Sequence, residues 1–316
     1  MHTRPLDAVR DLPALAMLFA THDSEPPTPA LLTEWEGHAP QDLVRQRLVA
    51  FTDASERTLI GYCDTAHWPW DMPHHFELEM LVHPDQRQQG LGTRLADAAL
   101  AFARSQGATR LAVEVRDNSA EGMRFAELYS FQRDRHIFES RLMLADFDGE
   151  RFAAAIAQAE TWGVRFFSLA DLGNTEEAQR RDYDLNAALV RDIPGRHGNF
   201  MPFEQFQKTV CGASWYRADG QIIAAVGDYW VGTAAVGYFE HTNSMYNMFT
   251  GVDPAWRGKG IALALKLLAI DCARRYGADY ISANNDSENA PMLAINRKLG
   301  YQPQPGFYRM LRAPAF

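Results

Sequence analysis

The chain has 316 residues, of which 47% are hydrophobic and 22% charged, a composition typical of a soluble globular protein with room for two domains of ordinary size. Its formal net charge of −9 disfavours nucleic acid and anionic membranes as partners, and we expect no membrane-spanning segment. Three cysteines, odd in number and without metal-ligand spacing, predict reduced thiols, no metal site and a cytoplasmic location.

The first strongly patterned element is a strand that ends at Val82. Apolar side chains alternate with Glu77 and Glu79 along residues 76–82, which is the period-two pattern of a strand. Alternation also places the two carboxylates on one face. If that face lines a substrate site, Glu77 and Glu79 are suited to act as a base and to bind a cationic group. A solvated strand face is the open alternative.

A segment rich in aromatic and histidine residues, 67–75, comes just before this strand. It is either a lid over a substrate site or a loop packed against the domain interface.

A loop containing glycine and then a helix follow the strand. The loop runs through Arg87, Gly90 and Gly92, and apolar residues at 91, 95, 99 and 102 predict one face of a helix. Gly107 stands where a C-terminal cap would end that helix, and residues 109–115 predict the next strand. The backbone N–H groups at such a helix start point at one spot, with the positive end of the helix dipole behind them. The loop therefore predicts an anion site.

Charged and small residues interrupt the β pattern near residues 145–162. We predict an N-terminal domain over 1–148, a linker over 149–162 with a short helix inside it, and a C-terminal domain over 163–316. Residues 164–169 predict the first strand of the second domain.

The second half of the chain repeats the strand, loop and helix of the first. Val252, Arg257 and Gly260 stand 170 positions after Val82, Arg87 and Gly90. The shared offset holds over about thirty residues, which predicts a duplicated domain.

The second copy lacks the paired carboxylates of the first. At the positions matched to Glu77 and Glu79 by this offset it has Asn247 and Phe249. A base in the second copy would have to come from elsewhere, and the candidates are Asp228, Glu240 and His241.

The motifs Arg87-x-x-Gly90-x-Gly92 and Arg257-x-x-Gly260-x-Ala262 resemble the acyl-CoA signature of the GNAT N-acetyltransferase superfamily. The resemblance covers nearly the whole chain, as two tandem domains. It implies an α/β (α+β) fold in which each domain has a mixed, mostly antiparallel, twisted sheet flanked by helices, with a splayed strand pair. It also implies transfer of an acetyl group from acetyl-CoA, a co-substrate, to the amine of a small molecule or peptide.

The resemblance further implies which residues hold acetyl-CoA. The strand ends contact the pantetheine arm, the loops bind the pyrophosphate, and an asparagine at the start of the next helix hydrogen-bonds the cofactor. In the first copy these residues are Leu81, Val82, Arg87, Gln88, Gln89, Gly90, Leu91, Gly92, Thr93 and Asn118. In the second copy they are Gly251, Val252, Arg257, Gly258, Lys259, Gly260, Ile261, Ala262 and Asn289.

A tyrosine that many members of the family use to protonate the departing thiolate is missing from both copies. It stands seven residues after the asparagine, where this chain has Phe125 or Ala126 in the first copy and Asn296 in the second. Tyr129 and Tyr301, near the ends of the two helices, are the candidates to replace it as catalytic acids. Packing against the sheet is the alternative for both.

Three functions stay open at this point. The chain is a tandem acetyltransferase with at least one active copy, or one copy is non-catalytic and serves structure or cofactor binding, or the protein is an acyl-CoA-binding sensor without turnover. We expect an amine acceptor as partner, no nucleic acid, no membrane and no metal, in a monomer or homodimer.

Overall fold

The computed structural model describes residues 1–193, 195 and 198–313. In the first half of the chain, polar side chains mark several helix starts: Asp7 accepts hydrogen bonds from the N–H groups of Val9 and Arg10, and Thr28 accepts one from Leu31. The elements are β1 (His2–Pro5), α1 (Ala8–Phe19), α2 (Pro29–His38), β2 (Val44–Phe51), β3 (Leu59–His67), β4 (His75–Val82), α3 (Leu91–Ser105), β5 (Arg110–Arg116), α4 (Ala120–Leu128) and β6 (Gln132–Met143).

The second half follows a similar order. Its elements are α5 (Ala155–Glu160), β7 (Val164–Ser168), α6 (Glu176–Leu189), α7 (Phe203–Phe206), β8 (Tyr216–Val226), β9 (Tyr229–Phe239), β10 (Ser244–Val252), α8 (Ile261–Arg275), β11 (Tyr280–Asp286), α9 (Ala290–Leu299) and β12 (Gln302–Arg312). The predicted short helix within 149–162 is α5, and the strand predicted over 164–169 is β7. Within the part of the chain described, no helix is both long and apolar enough to cross a membrane.

The chain divides into two compact units. Unit 1 consists of Met1–His136 together with the segment that begins at Phe307, and unit 2 consists of Ile137–Gly306. Unit 1 therefore includes the end of β12, and unit 2 includes most of β6 and the predicted linker. Whether residues 1–148 and 163–316 fold as separate domains stays a prediction.

Unit 1 contains a mixed sheet with one parallel strand pair. β1, β2, β3 and β4 are antiparallel neighbours, β4 is parallel to β5, and β5 pairs with β12 in the antiparallel sense. The parallel pairs end at Leu78 with Val113, although β4 continues to Val82 and β5 to Arg116. The two strands separate there, so their inner edges carry backbone groups that a ligand can pair with.

Unit 2 repeats this arrangement. β7, β8, β9 and β10 are antiparallel neighbours, β10 is parallel to β11, and β11 pairs with β6 in the antiparallel sense. The parallel pairs end at Tyr246 with Ser282, while β10 continues to Val252. Both units thus confirm a mostly antiparallel sheet flanked by helices with a splayed strand pair.

β10 contains one residue more than β4. Its pairing with β9 skips Met248 between Asn247 and Phe249, whereas β4 pairs with β3 without a shift. The Asn247 amide donates hydrogen bonds to the carbonyl oxygens of Ala235, at 3.0 Å, and Phe249, at 2.8 Å. These bonds satisfy groups that a bulge would leave unpaired.

The bulge changes which residues of β10 are the structural counterparts of residues in β4. Glu77 pairs with Ala112 on the parallel neighbour, and the residue in the same place of unit 2 is Tyr246, which pairs with Ser282. The match of Glu77 with Asn247 by sequence offset is therefore wrong, because the extra residue shifts the register before Phe249. The match of Glu79 with Phe249 holds.

Each unit packs one helix face onto its sheet, as the apolar spacing predicts. Leu91, Leu95 and Ala99 of α3 are at most 1% exposed, and Ile261 and Leu265 of α8 are equally buried. Burial of one such leucine or isoleucine contributes about 1.5–3 kcal/mol. These contacts fix the start of each helix against the end of the strand before it.

Candidate active site

The two glycine loops have the same backbone conformation. Gly90 precedes α3 with φ of 80°, and Gly260 precedes α8 with φ of 78°. This left-handed region is easily reached only by glycine. Gln88 and Gly258 also have positive φ, 58° and 76°, so the loops match residue by residue.

Both loops leave the start of a helix open. A glycine cannot supply a side-chain cap, so the first N–H groups of α3 and α8 have no side-chain acceptor at the cap position. A Cβ added at Gly90 or Gly260 would have no protein atom within 4 Å. Open space in front of unpaired N–H groups at a helix start fits a pyrophosphate, as acyl-CoA requires.

One arginine in each glycine loop stabilises the conformation of that loop. The Nε of Arg87 donates to the carbonyl oxygen of Val82 at 3.3 Å, and the Nε of Arg257 donates to that of Val252 at 3.0 Å. Each guanidinium also contacts an acidic residue, Glu121 for Arg87 and an aspartate for Arg257. Their charge is therefore partly neutralised by these acidic residues.

The other predicted cofactor residues divide into loop and core positions. Leu91 and Ile261 are buried, so only their backbone faces the loop. Gln88 donates to Glu121, Gln89 to the carbonyl oxygen of Asp85, and Lys259 to that of Ala255, while the Thr93 carbonyl accepts from Tyr129. The remaining predicted residues lie on the strand ends or in the first turn of the helices: Leu81, Val82, Gly92, Gly251, Val252 and Ala262.

The asparagine assigned in the first copy is displaced by one position. Asn289 is the N-cap of α9 and accepts from the Met292 N–H, but the N-cap of α4 is Ser119, which accepts from the Gly122 N–H. Ser119 is therefore the counterpart of Asn289, and Asn118 precedes the cap. The two segments then have equal length, and Ala126 is the counterpart of Asn296.

The two tyrosines proposed as acids have different surroundings. The Tyr129 hydroxyl donates to Asp97 at 3.1 Å and to the Thr93 carbonyl at 3.3 Å, both on α3. Its role as an acid stays a prediction. Tyr301 is 4% exposed in the core of unit 2, and its hydroxyl has no hydrogen-bond partner among the residues described. Burial raises its pKa, and a side chain enclosed in this way is poorly placed to protonate a thiolate.

The predicted carboxylate pair of unit 1 is divided between two environments. Glu77 forms a two-pronged ion pair with Arg309 of β12, in which Nη1 donates to Oε2 at 3.2 Å. Glu79 has no hydrogen bond or ion pair with any residue described here. Both lie on the same face of β4, as alternation predicts, but only Glu79 is free to accept a proton.

Glu79 has the properties of a base that works near neutral pH. Its side chain reaches solvent, yet protein atoms surround the depression in which it lies. Desolvation and the negative charge of Asp64 together raise the pKa of its carboxyl to about 7, against the effect of Arg45. A base is most effective when its pKa lies close to the working pH.

A second carboxylate with a raised pKa was not identified from the sequence. Desolvation and then the neighbouring Glu77 raise the pKa of Glu114 to about 7, although Arg309 opposes them. Glu114 lies on β5 beyond the last parallel pair, and its Oε1 is 3.9 Å from Nη1 of Arg309. The sequence feature that could have identified Glu114 is the alternation of charged and apolar residues over 110–116.

The same face of unit 1 continues as a band of charged groups. Asp64 lies opposite Glu79 on β3 and accepts from Nε of Arg45 at 2.8 and 2.9 Å. Arg45 is also 3.7 Å from Glu36 of α2. Carboxylates outnumber the arginines here, so the face is suited to binding a cation.

The aromatic segment before β4 lies close to Glu77. Nδ1 of His67 is hydrogen-bonded to the His75 carbonyl at 2.8 Å, and Nε2 of His75 is 3.8 Å from Glu77. The rings of Trp68 and Trp70 contact each other, with centroids 5.5 Å apart. A lid role for this segment stays a prediction.

Unit 2 has no carboxylate at the counterpart of Glu79, where Phe249 stands. Its predicted alternatives lie elsewhere: Asp228 is in the turn between β8 and β9, Glu240 pairs with Arg217 at 3.2 Å, and the ring of His241 packs against Phe239.

A carboxylate that the sequence did not single out is Asp182 of α6, whose pKa is raised to about 7 by desolvation. It is 2% exposed and accepts from Asn186 and Thr233. This enclosure separates it from any acceptor. Among the residues described, no group of three His, Cys, Asp or Glu side chains is arranged to hold a metal ion.

The family model for the acetyltransferase (GNAT) family matches the chain twice, over residues 8–131 and 191–301. The mycothiol acetyltransferase of Thermobifida fusca is 26% identical over 272 residues, which cover 80% of this chain and 79% of the relative. The mycothiol acetyltransferase of Saccharomonospora viridis is 27% identical over 314 residues, covering 94% and 92%.

Two solved structures share the fold over the whole chain. A GCN5-related N-acetyltransferase from Sphaerobacter thermophilus superposes with a TM-score of 0.71 at 18% identity, covering 99% of this chain and 95% of that one. A tandem GNAT protein from the clavulanic acid biosynthesis pathway superposes with a TM-score of 0.72 at 17% identity, covering 99% and 98%.

Proposed function

The chain belongs to the acetyltransferase (GNAT) family, and on that basis we propose that unit 1 transfers the acetyl group of acetyl-CoA to a cationic small-molecule amine, with Glu79 as the base. The observation that carries this proposal is the state of Glu79. It is a solvent-accessible carboxylate without a partner in the described chain, one residue beyond the last parallel pair of β4 and β5, with a pKa raised to about 7.

Glu79 and its neighbours prepare the acceptor. An ammonium cannot attack a carbonyl carbon until it loses a proton, and the Glu79 carboxylate accepts that proton. Acetyl-CoA, when bound, supplies a thioester whose carbonyl carbon forms the new C–N bond while the C–S bond breaks and the thiolate leaves. Water or Tyr129 returns a proton to the sulfur. Glu114 and Asp64 keep the face negative, which favours binding of the cationic acceptor over a neutral one.

The glycine loops of both units are proposed to bind the cofactor. The open N–H groups after Gly90 and Gly260 hold the pyrophosphate, and the arginines at 87 and 257 keep the loops in the shape that exposes them. The ends of β4 and β10, at Val82 and Val252, would contact the pantetheine arm beside the splayed edges.

Unit 2 is proposed to bind acyl-CoA without catalysing transfer. Phe249 replaces the base, and Asp182, whose pKa is likewise raised to about 7, is enclosed by α6 and β9. Its loop has kept the conformation required for binding. The alternative of a protein that only senses acyl-CoA is less well supported, because unit 1 has kept an accessible base.

The relatives named mycothiol acetyltransferase make the amine form of mycothiol one acceptor to test. An acceptor panel should also contain polyamines, amino acids, aminoglycosides and peptide N-termini, with release of the CoA thiol as the measurement. Neutral hydroxyl analogues of each active amine give the comparison that tests the preference for a cation.

A pH–rate profile of Glu79→Gln tests the base. Because the carboxylate is the active form and its pKa is about 7, kcat/KM of the wild type should rise through about pH 7 and then level. The variant should lose this rise and be about a hundredfold slower at pH 7.5. Glu127→Gln, which changes an exposed glutamate of α4, is the matched control and should behave as wild type. An unchanged profile in Glu79→Gln would rule out Glu79 as the base.

A further inference from the structure

Four matched core positions are apolar in unit 1 and polar in unit 2. The residues of unit 1 are all at most 9% exposed: Ala96, Val115, Ala126 and Phe131. Their counterparts in unit 2, each 170 positions later, are buried to at least the same extent: Lys266, Asn285, Asn296 and Tyr301. The cores under α3 and α8 therefore differ in polarity at these four positions.

Three of these polar residues, Lys266, Asn296 and Asn285, form one connected chain of hydrogen bonds. Nζ of Lys266 donates to Oδ1 of Asn296 at 2.7 Å, and Nδ2 of Asn296 donates to Oδ1 of Asn285 at 2.7 Å. Asn285 in turn donates to Oγ of Ser140 at 3.0 Å. The ring of Tyr301 lies 4.6 Å from Nζ of Lys266. The network thus joins α8, α9, β11 and β6.

Lys266 is costly to keep in this position. It is 1% exposed, and it forms no ion pair with any residue of the described chain. Burial lowers the pKa of its ammonium to about 7. An uncompensated buried charge destabilises a fold, and unit 1 folds with an alanine at the same position. Stability alone therefore does not explain why a lysine stands there.

The titratable groups on the elements packed around α8 do not supply a counter-charge, because each is exposed or bonded to another partner. Tyr301 contacts Lys266 through its ring only. The acidic and neutral ionisable groups are Asp146 after β6, Glu160 of α5, Tyr216 and Asp219 of β8, Tyr229 and Tyr238 of β9, Tyr246 of β10, Asp271 and Cys272 of α8, and Tyr280 and Asp286 of β11. The cationic groups are Arg217 of β8, Arg274 and Arg275 of α8, and Arg297 and Lys298 of α9.

The position of Lys266 relative to the second glycine loop suggests its role. It is the sixth residue of α8, which begins at Ile261 directly after Gly260. At 1.5 Å per residue its Cα lies about 8 Å along the axis from the open helix start. Asn296, its hydrogen-bond partner, is on the helix that Asn289 caps.

We propose that Lys266 is a positioning residue for acyl-CoA at the second glycine loop, where its buried ammonium is the counter-charge of the pyrophosphate and takes up a proton as the cofactor binds. The inference rests on the proposed binding of acyl-CoA by unit 2. The axial distance of about 8 Å from the Lys266 Cα to the helix start is short enough for two charges to interact appreciably through protein, so a bound pyrophosphate would raise the pKa of Lys266. By linkage, affinity at this loop falls as the pH rises.

Calorimetry with acetyl-CoA alone, without an acceptor, tests this proton uptake. The titration is done at pH 8 in two buffers that differ in enthalpy of ionisation, on a Gly90→Val background that leaves the second loop as the site measured. The Gly90→Val protein, which keeps Lys266, should take up about half a proton more per bound acetyl-CoA than the double variant that also carries Lys266→Met. Lys298→Met, which removes an exposed lysine of α9, is the control and should match the parent.

The outcomes separate this inference from the proposed function. Absence of binding on the Gly90→Val background would refute cofactor binding by unit 2 and the inference with it. Binding with equal proton uptake in the presence and absence of Lys266 would overturn the inference alone. Should Lys266→Met fail to fold, the pKa of Lys266 can be followed in the wild type by NMR of ¹³C-labelled lysine. A pKa that acetyl-CoA does not raise would count against the proposal.

Discussion

Unit 1 and unit 2 hold their glycine loops in the same conformation but differ in the side chains around them. The φ angles of Gly90 and Gly260 differ by only 2° (80° and 78°). Unit 1 combines its loop with an accessible glutamate and an apolar core. Unit 2 combines its loop with a phenylalanine at the position that matches Glu79 and with a buried lysine on the helix that follows the loop.

The difference shows which part of the site depends on backbone and which on side chains. Anion binding at a helix start uses backbone N–H groups, which every residue except proline has. Such binding therefore survives many changes of side chain as long as the conformation of the turn is kept. Proton transfer requires one carboxylate in one place. Duplication can therefore preserve a cofactor site in both units while only one keeps the base.

The largest expected effect concerns the buried lysine that only unit 2 has. The pKa of Lys266 is lowered to about 7, so between pH 7 and the pKa of an unfolded lysine, 10.5, the unfolded chain binds a proton that the folded chain does not. The wild type should gain stability as the pH rises through this window. The gain should exceed that of Lys266→Met by on the order of 4 kcal/mol.

Urea unfolding at pH 7, 8.5 and 10, which covers most of this window, measures this difference. Lys298→Met, at an exposed position of α9, should show the slope of the wild type. If the free energy of unfolding depends on pH in the same way in the wild type and in Lys266→Met, Lys266 is charged in the folded protein and its charge is stabilised there. The two cores would then not differ in the cost of burying a charge.

The next effect concerns the feature that the units share. Gly90→Val and Gly260→Val should each weaken acetyl-CoA binding at one of two sites by about tenfold or more, because a side chain enters the space in front of the helix start and strains the left-handed turn. Gly163→Val is the matched control, since Gly163 also has positive φ and open surroundings but lies outside both loops. Loss of both sites in one variant would contradict independent binding.

The smallest effect is that of Tyr301→Phe, a substitution at the position that matches Phe131 of unit 1. Tyr301→Phe removes a buried hydroxyl without a partner in the described chain and should raise the free energy of unfolding by up to about 1 kcal/mol. Phe131→Tyr places such a hydroxyl in unit 1 and should lower it by about 1–3 kcal/mol. Chemical unfolding measures the free energy of unfolding of both variants. A large loss of acetyl transfer in Tyr301→Phe would restore that tyrosine as a candidate acid.

Much of the architecture could be predicted from local sequence. Alternation defined β4, spacing of apolar residues defined α3 and α8, and the glycine positions identified both loops. The errors have a common cause. The bulge at Met248 shifts the strand register by one residue, which a fixed offset of 170 cannot detect. The cap at Ser119 keeps that offset from Asn289, and the expectation of an asparagine placed it one residue too early, at Asn118. Both features are defined by hydrogen bonds, which residue type and spacing alone do not reveal.

The family resemblance, the duplicated loops and the lack of paired carboxylates in the second copy could be recognised from residues that are close together in the chain. Contacts between distant residues leave Glu79 accessible and bind Glu77 to Arg309, which is 232 residues away. Such contacts also bring Lys266, Asn296 and Asn285 into one network. Burial and charge pairing set the pKa of each group, and both depend on neighbours that sequence spacing does not reveal.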